Sequence, residues 1–124
     1  MAKREGFSTH DFRTELLKVM PGYAWIVHRQ ASDFKMVATG TQSSGFNRLS
    51  TLEVTRSTKR GLITYEVKSS GPGLRAPWLG CVTDSTLAKA LRVLQQFYRA
   101  EAARFSRHHE ALERGREPIG TSHA

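Results

Sequence analysis

The chain has 124 residues, with 19 Lys and Arg against 11 Asp and Glu, a formal net charge of +8. Apolar residues make up 39% of it, enough for one compact core in one domain. These values exclude a multidomain enzyme, a collagen-like fibre and a fully disordered chain, and the net charge favours a polyanionic partner.

Along the chain, the spacing of Phe12, Leu16, Leu17 and Met20 predicts a short helix, capped by Ser8 or Thr9 and ended by Pro21-Gly22. From Tyr23 the period becomes two, with Tyr23, Trp25 and Val27 alternating against Ala24, Ile26 and His28, as in a half-buried strand. A turn at Gln30 to Asp33 leads into a strand from Phe34 to Thr39, and a Ser/Gly-rich loop follows from Thr41 to Arg48. Leu52 and Val54 then face one way, and Glu53 and Thr55 the other. Ser57-Thr58-Lys59-Arg60-Gly61 reads as a hairpin turn, and the return strand points Ile63, Tyr65 and Val67 inward. A Gly/Pro loop spans Ser69 to Pro77, before a short strand from Trp78 to Val82.

The last element is the best marked. Asp84 or Ser85 is expected to cap a helix running to Arg114, where Gly115 stops it. Leu87, Leu91, Leu94, Tyr98, Ala102 and Phe105 form its apolar stripe, widened by Val93 and Phe97 and continued by Leu112. Such a helix spans roughly 45 Å at ~1.5 Å per residue, whereas a seven-residue strand covers only about 23 Å. The helix must overhang its sheet, as a solvated extension or as an arm packed on another subunit. The expected fold is therefore α+β: a short N-terminal helix, an antiparallel meander of four to five strands, and a long C-terminal helix packed on the sheet and overhanging it. The expected domain is 1–116, with 117–124 a frayed tail. A homodimer is expected, using Tyr98, Phe105 and Leu112.

The single cysteine, Cys81, permits no intramolecular disulfide, and no apolar run is long enough to cross a bilayer. A cytoplasmic location follows as the expectation. The residues point to no reaction. Adjacent His108 and His109 sit about 100° apart on a helix and cannot grip one metal ion from a common face. Cys81 as a nucleophile would need His28 and Asp84 to converge on it, and a small core cysteine is the simpler reading. Gly71-Pro72-Gly73 with Arg75 lacks the Gly-Lys-Ser/Thr ending of a phosphate loop. Phe46, in Gly45-Phe46-Asn47-Arg48, is expected to fold back over the core rather than serve as a binding aromatic. No catalytic residue, metal ligand or cofactor is assigned.

The cations are concentrated in residues 23–83. Arg29, Lys35, Arg48, Arg56, Lys59, Arg60, Lys68 and Arg75 stand there against Asp33, Glu53 and Glu66. Arg56 and Lys68 are expected on the polar sheet face with Glu66, and Lys59 and Arg60 at a turn tip. Lys89, Arg92, Gln96, Arg99 and Ala103 form a second helical stripe opposite part of the apolar one. The first functional reading is a non-enzymatic nucleic-acid-binding protein, single-strand-preferring or weakly sequence-specific. It uses Arg48, Arg56, Lys59, Arg60, Lys68, Arg75, Trp78, Lys89, Arg92 and Arg99. The second is a protein-interaction module or inhibitor, in the manner of a virus-encoded antagonist, docking on an acidic partner. The third is a nucleotide or small-ligand binder at a subunit interface, held by Arg48, Arg75 and Trp78.

Overall fold

The computed structural model describes residues 6–30 and 32–119; Ala31, within the first expected turn, and the last five residues of the expected tail lie outside them. Helix α1 (Thr9–Val19) begins at a reciprocal cap. Ser8 Oγ accepts the Asp11 N–H at 3.0 Å, and the Asp11 carboxylate accepts the Ser8 N–H at 2.9 Å. Those bonds, the backbone one first, hold the Asp11 carboxyl below its ordinary range. Phe12 and Leu16, one turn apart, are fully buried, while Leu17 turns outward.

Five strands follow in a sequential antiparallel meander: β1 (Ala24–Val27), β2 (Lys35–Ser44), β3 (Asn47–Lys59), β4 (Leu62–Ser70) and β5 (Trp78–Asp84). The turns are tighter than expected from sequence because the strands run further into them. The β3–β4 turn is only Arg60-Gly61, with φ of 53° and 78°. Two successive positive φ values match the strand twist, and glycine makes the second one cheap. The expected loop at 41–48 is instead strand up to a two-residue turn, Gly45-Phe46, with Ser44 facing Asn47. Phe46 is 107% exposed at that tip rather than folded over the core. A two-residue turn holds its side chain out beyond the last strand pair, with no core in reach.

Helix α2 (Leu87–Gly115) is capped by Thr86, not by Asp84 or Ser85, because β5 continues through Asp84. Thr86 Oγ1 accepts the Lys89 N–H at 3.2 Å. The helix runs from the Arg60-Gly61 end of the sheet towards the end carrying Phe46 and the 71–77 loop. It covers β4 and β5, while α1 lies beside β1.

Both helices occupy one sheet face. The core there joins Phe12 and Leu16 of α1 to Trp25, Met36, Ala38, Leu52, Val54, Tyr65 and Val67 of the sheet, and to Leu87, Ala90, Leu91 and Leu94 of α2. The α2 contact ends at Tyr98, whose hydroxyl shares a 2.6 Å hydrogen bond with Ser69 Oγ above β4. From Arg99 to Gly115 every side chain is exposed except half-buried Glu101. At ~1.5 Å per residue this arm projects about 25 Å. The helix overhangs, as expected, but not because every strand is short: β3 has 13 residues, and α2 lies instead over β4 and β5, of nine and seven.

At the core rim, the Tyr65 hydroxyl donates to Glu15 Oε1 at 2.8 Å and accepts the Arg56 Nε–H at 3.0 Å. Burial, followed by the bond to Glu15, raises the Tyr65 pKa. Because the folded-state value lies above the unfolded one, the neutral phenol stabilises the fold fully below about pH 10. That stabilisation is lost as pH rises through the folded value. Tyr65→Phe should cost about 1 kcal/mol at neutral pH. In urea titrations its deficit against the wild type should narrow above pH 10. A constant deficit would show that the hydroxyl does not titrate as placed.

Candidate nucleic-acid interface

The uncovered sheet face is charge-balanced at its centre and basic only towards its ends. Strand register places Ile26, Thr39, Glu53, Lys68 and Cys81 in one row across it, flanked by rows rich in Thr and Ser. Its charged strand residues are Lys35, Arg48, Lys59 and Lys68 against Glu53 and Glu66, with Arg48 and Lys59 at its two ends. Lys68 Nζ lies 3.3 Å from Glu53 Oε1, and 5.0 Å from the Trp78 ring centroid. A lysine so held is met locally by a carboxylate and stacked over Trp78.

Arg56 is not beside Lys68. The two-residue period that buries Leu52 and Val54 carries Arg56 to the same, helix-covered side, opposite Tyr65. Its guanidinium lies 3.8 Å from the Phe7 ring centroid. This is a rim contact tying the segment just before α1 to β3, and it corrects the expected pairing of Arg56 with Lys68 on one polar face.

The remaining sheet candidates separate to the two ends. Lys59 and Arg60 sit at the β3–β4 tip. Arg48, Arg75, Lys68 and Trp78 gather at the opposite end, where the Arg48 carbonyl accepts the Gly73 N–H at 3.1 Å. Arg48 Nη1 reaches Thr51 Oγ1 at 3.4 Å, while its buried Nε has no hydrogen-bond partner.

On α2 the picture differs. Lys89, Arg92, Arg99, Arg107 and Arg114 are all exposed on the side away from the sheet, and none forms an ion pair among the described residues. At 100° per residue they fall on one stripe, interrupted only by Gln96, Ala103 and Glu110. From Lys89 to Arg114 the ridge extends about 38 Å. Arg92, Gln95, Gln96 and Arg99 border a shallow cavity of about 220 Å³ on it. Arg104, off this stripe, is instead paired with Glu101.

A second cationic feature escaped the sequence reading. Thr9, His10 and Arg13 of α1 meet Val27, at the end of β1, and His28, Arg29 and Gln30, which follow it, around a cavity of about 460 Å³ lined by no carboxylate. The sequence signal was slight: His10 and Arg13 are one turn apart on a helix, and His28-Arg29 directly follows a strand. Only packing of α1 beside the edge strand unites them.

The rejected catalytic set stays apart. His28 lies on the β1 edge, its Nε2 2.7 Å from Thr39 Oγ1, whereas Cys81 and Asp84 belong to β5 at the other edge. Asp84 accepts the N–H of Ser85. Cys81 is exposed, not a core residue, because its odd position on β5 puts it on the open face beside Glu66, 3.4 Å from Oε2. Burial, then the bond to Glu66, raises its thiol pKa, the reverse of nucleophile activation. Among the described residues no three of His, Cys, Asp and Glu converge on a point that could hold a metal ion.

The fold defines the chain as an α+β domain with a one-sided helical cover and a helical arm. No protein-family model, curated protein or solved structure matches it. No helix among the described residues is long and apolar enough to cross a membrane.

Proposed function

We propose that the protein is a non-enzymatic nucleic-acid-binding protein that grips the phosphate backbone through the outer ridge of α2, with little reading of sequence. The observation that carries this is the row of five unpaired cations along one helix face, in a chain whose open sheet face has its central lysine, Lys68, paired with Glu53. A ridge of that length spans about one turn of duplex, and unpaired Arg and Lys release condensed counterions when they meet phosphates. Arg48, Arg75 and Trp78, at the sheet end towards which α2 runs, supply a stacking and pairing surface for a single-stranded segment. The proposal places the protein in the cytoplasm, where exposed Cys81 stays reduced.

Fluorescence anisotropy against labelled single-stranded DNA, duplex DNA and RNA tests this at low and near-physiological salt. The variant Arg92→Glu with Arg99→Glu should weaken binding at least tenfold and reduce the slope of log affinity against log salt by about 2. Lys35→Glu, on the open face at the end away from Trp78, should leave both nearly unchanged. Equal losses in the two variants would return the site to the sheet. Binding that disappears for every probe at modest salt would sink the proposal and favour a protein partner.

A further inference from the structure

We propose that the α2 arm is a self-association device. Two copies pair their arms antiparallel, with Phe105 on the two-fold axis. The inference is independent of nucleic-acid binding, since it uses the opposite face of the helix.

The apolar stripe does not stop where the sheet stops. Leu87, Leu91, Leu94 and Tyr98 follow alternating spacings of four and three, and the same register continues through Glu101, Phe105, His108 and Leu112. The first four pack on the sheet, but Phe105 and Leu112 remain 62% and 59% exposed. One heptad seam thus serves two partners in succession, and the second is missing from the single chain.

The composition of that seam selects a second copy. It contains no Lys or Arg, since the free cations lie on the opposite side. Phe105 stands midway between Tyr98, the last residue held by the chain's own sheet, and Leu112, the last apolar residue of the seam. Antiparallel pairing about Phe105 therefore sets Tyr98 against Leu112 of the second copy, twice. It also brings Glu101, already paired with Arg104, opposite His109 of the second copy, which lies 3.8 Å from its own Glu113, so no unpaired like charges are opposed. Parallel pairing would oppose Glu101 to Glu101 and crowd both sheets at one end.

One group of exposed apolar residues lies where this arrangement would place the second copy, although Ile26, Phe34 and Leu62 are exposed elsewhere. Phe46, Leu49, Leu74 and Leu79 are all exposed at or near the end past which the arm projects. An antiparallel second copy returns the tip of its helix to that same end. The paired segments, Tyr98 to Leu112, overlap over about 22 Å. That is a small interface, so association should depend on concentration.

Sedimentation velocity over a concentration series should show the wild type moving from one chain of 13.9 kDa to twice that mass. Phe105→Glu should remain a single chain at every concentration, with unchanged circular dichroism. In a Cys81→Ser background, Phe105→Cys should form a disulfide-linked dimer on mild oxidation, because the axis brings the two positions together. Gln96→Cys on the outer ridge should not. A wild type that stays a single chain throughout, a Phe105→Glu variant that still dimerises, or equal cross-linking at positions 96 and 105 would each overturn the proposal.

Discussion

Trp25→Ala should be the most damaging single change to this fold, costing about 3–5 kcal/mol in denaturant unfolding. A domain of this size has a total stability of only about 5–15 kcal/mol. The indole is buried on the covered sheet face, opposite Gly40 across the β1–β2 pair. A methyl group on Gly40 would come within 2.8 Å of three ring atoms, so the ring rests directly on the glycine backbone. The indole N–H also donates to the Met20 carbonyl at 3.0 Å, which fastens the end of α1 to the sheet through the Pro21-Gly22 connection. Truncation removes the filling, the tie and the cover over Gly40 together. The complementary change, Gly40→Val, should cost about 1–3 kcal/mol by overpacking. The two should not add: with Trp25 already Ala, Gly40→Val should cost much less, because the space it needs has been vacated. Strict additivity would mean that the ring does not rest on Gly40.

Leu94→Ala and Phe105→Ala should separate the two halves of α2. Both positions lie on the same helical stripe. Leu94 is 4% exposed beneath α2, and its truncation should cost about 2–5 kcal/mol. Phe105 lies beyond the sheet, so its truncation should change unfolding of the single chain, measured at high dilution, by no more than about 0.5 kcal/mol. At high concentration the Phe105 variant should lose whatever stability association supplies, and the Leu94 variant should show the same deficit at both. A large loss for Phe105→Ala at high dilution would show that the arm folds back on its own domain.

Much of this architecture was legible locally. Helix α1 is marked by Phe12 and Leu16 one turn apart, with Ser8 ahead of them and Pro21-Gly22 behind. The strands are marked by the alternation of Leu52 and Val54 with Glu53 and Thr55, and of Tyr65 and Val67 with Glu66 and Lys68. The α2 overhang was expected from the helix length, but it also depends on α2 lying over β4 and β5 rather than along β3, whose 13 residues reach nearly as far. Strand ends were less legible. Ser43, Ser44, Ser69 and Ser70 have low strand preference, and their cross-strand partners hold them in the ladder.

The candidate interface was only half legible. Lys89, Arg92 and Arg99 could be placed on one stripe because helical periodicity is a property of the chain itself. That these cations form no ion pair could not be read there, because ion pairing depends on what packs nearby. The same holds for Lys68, whose charge is met by Glu53 on a neighbouring strand, and for the grouping of His10 and Arg13 with His28 and Arg29.

The sequence by itself determined the order of elements, the apolar faces of both helices and the excess length of α2. Each rests on a period or a distance measured along one segment. Only the tertiary structure decided which sheet face stays open, where Arg56 points, that Phe46 and Cys81 are exposed, and which cations remain unpaired. Those properties belong to residues distant in sequence, joined by strand register and by both helices settling on the same side of the sheet.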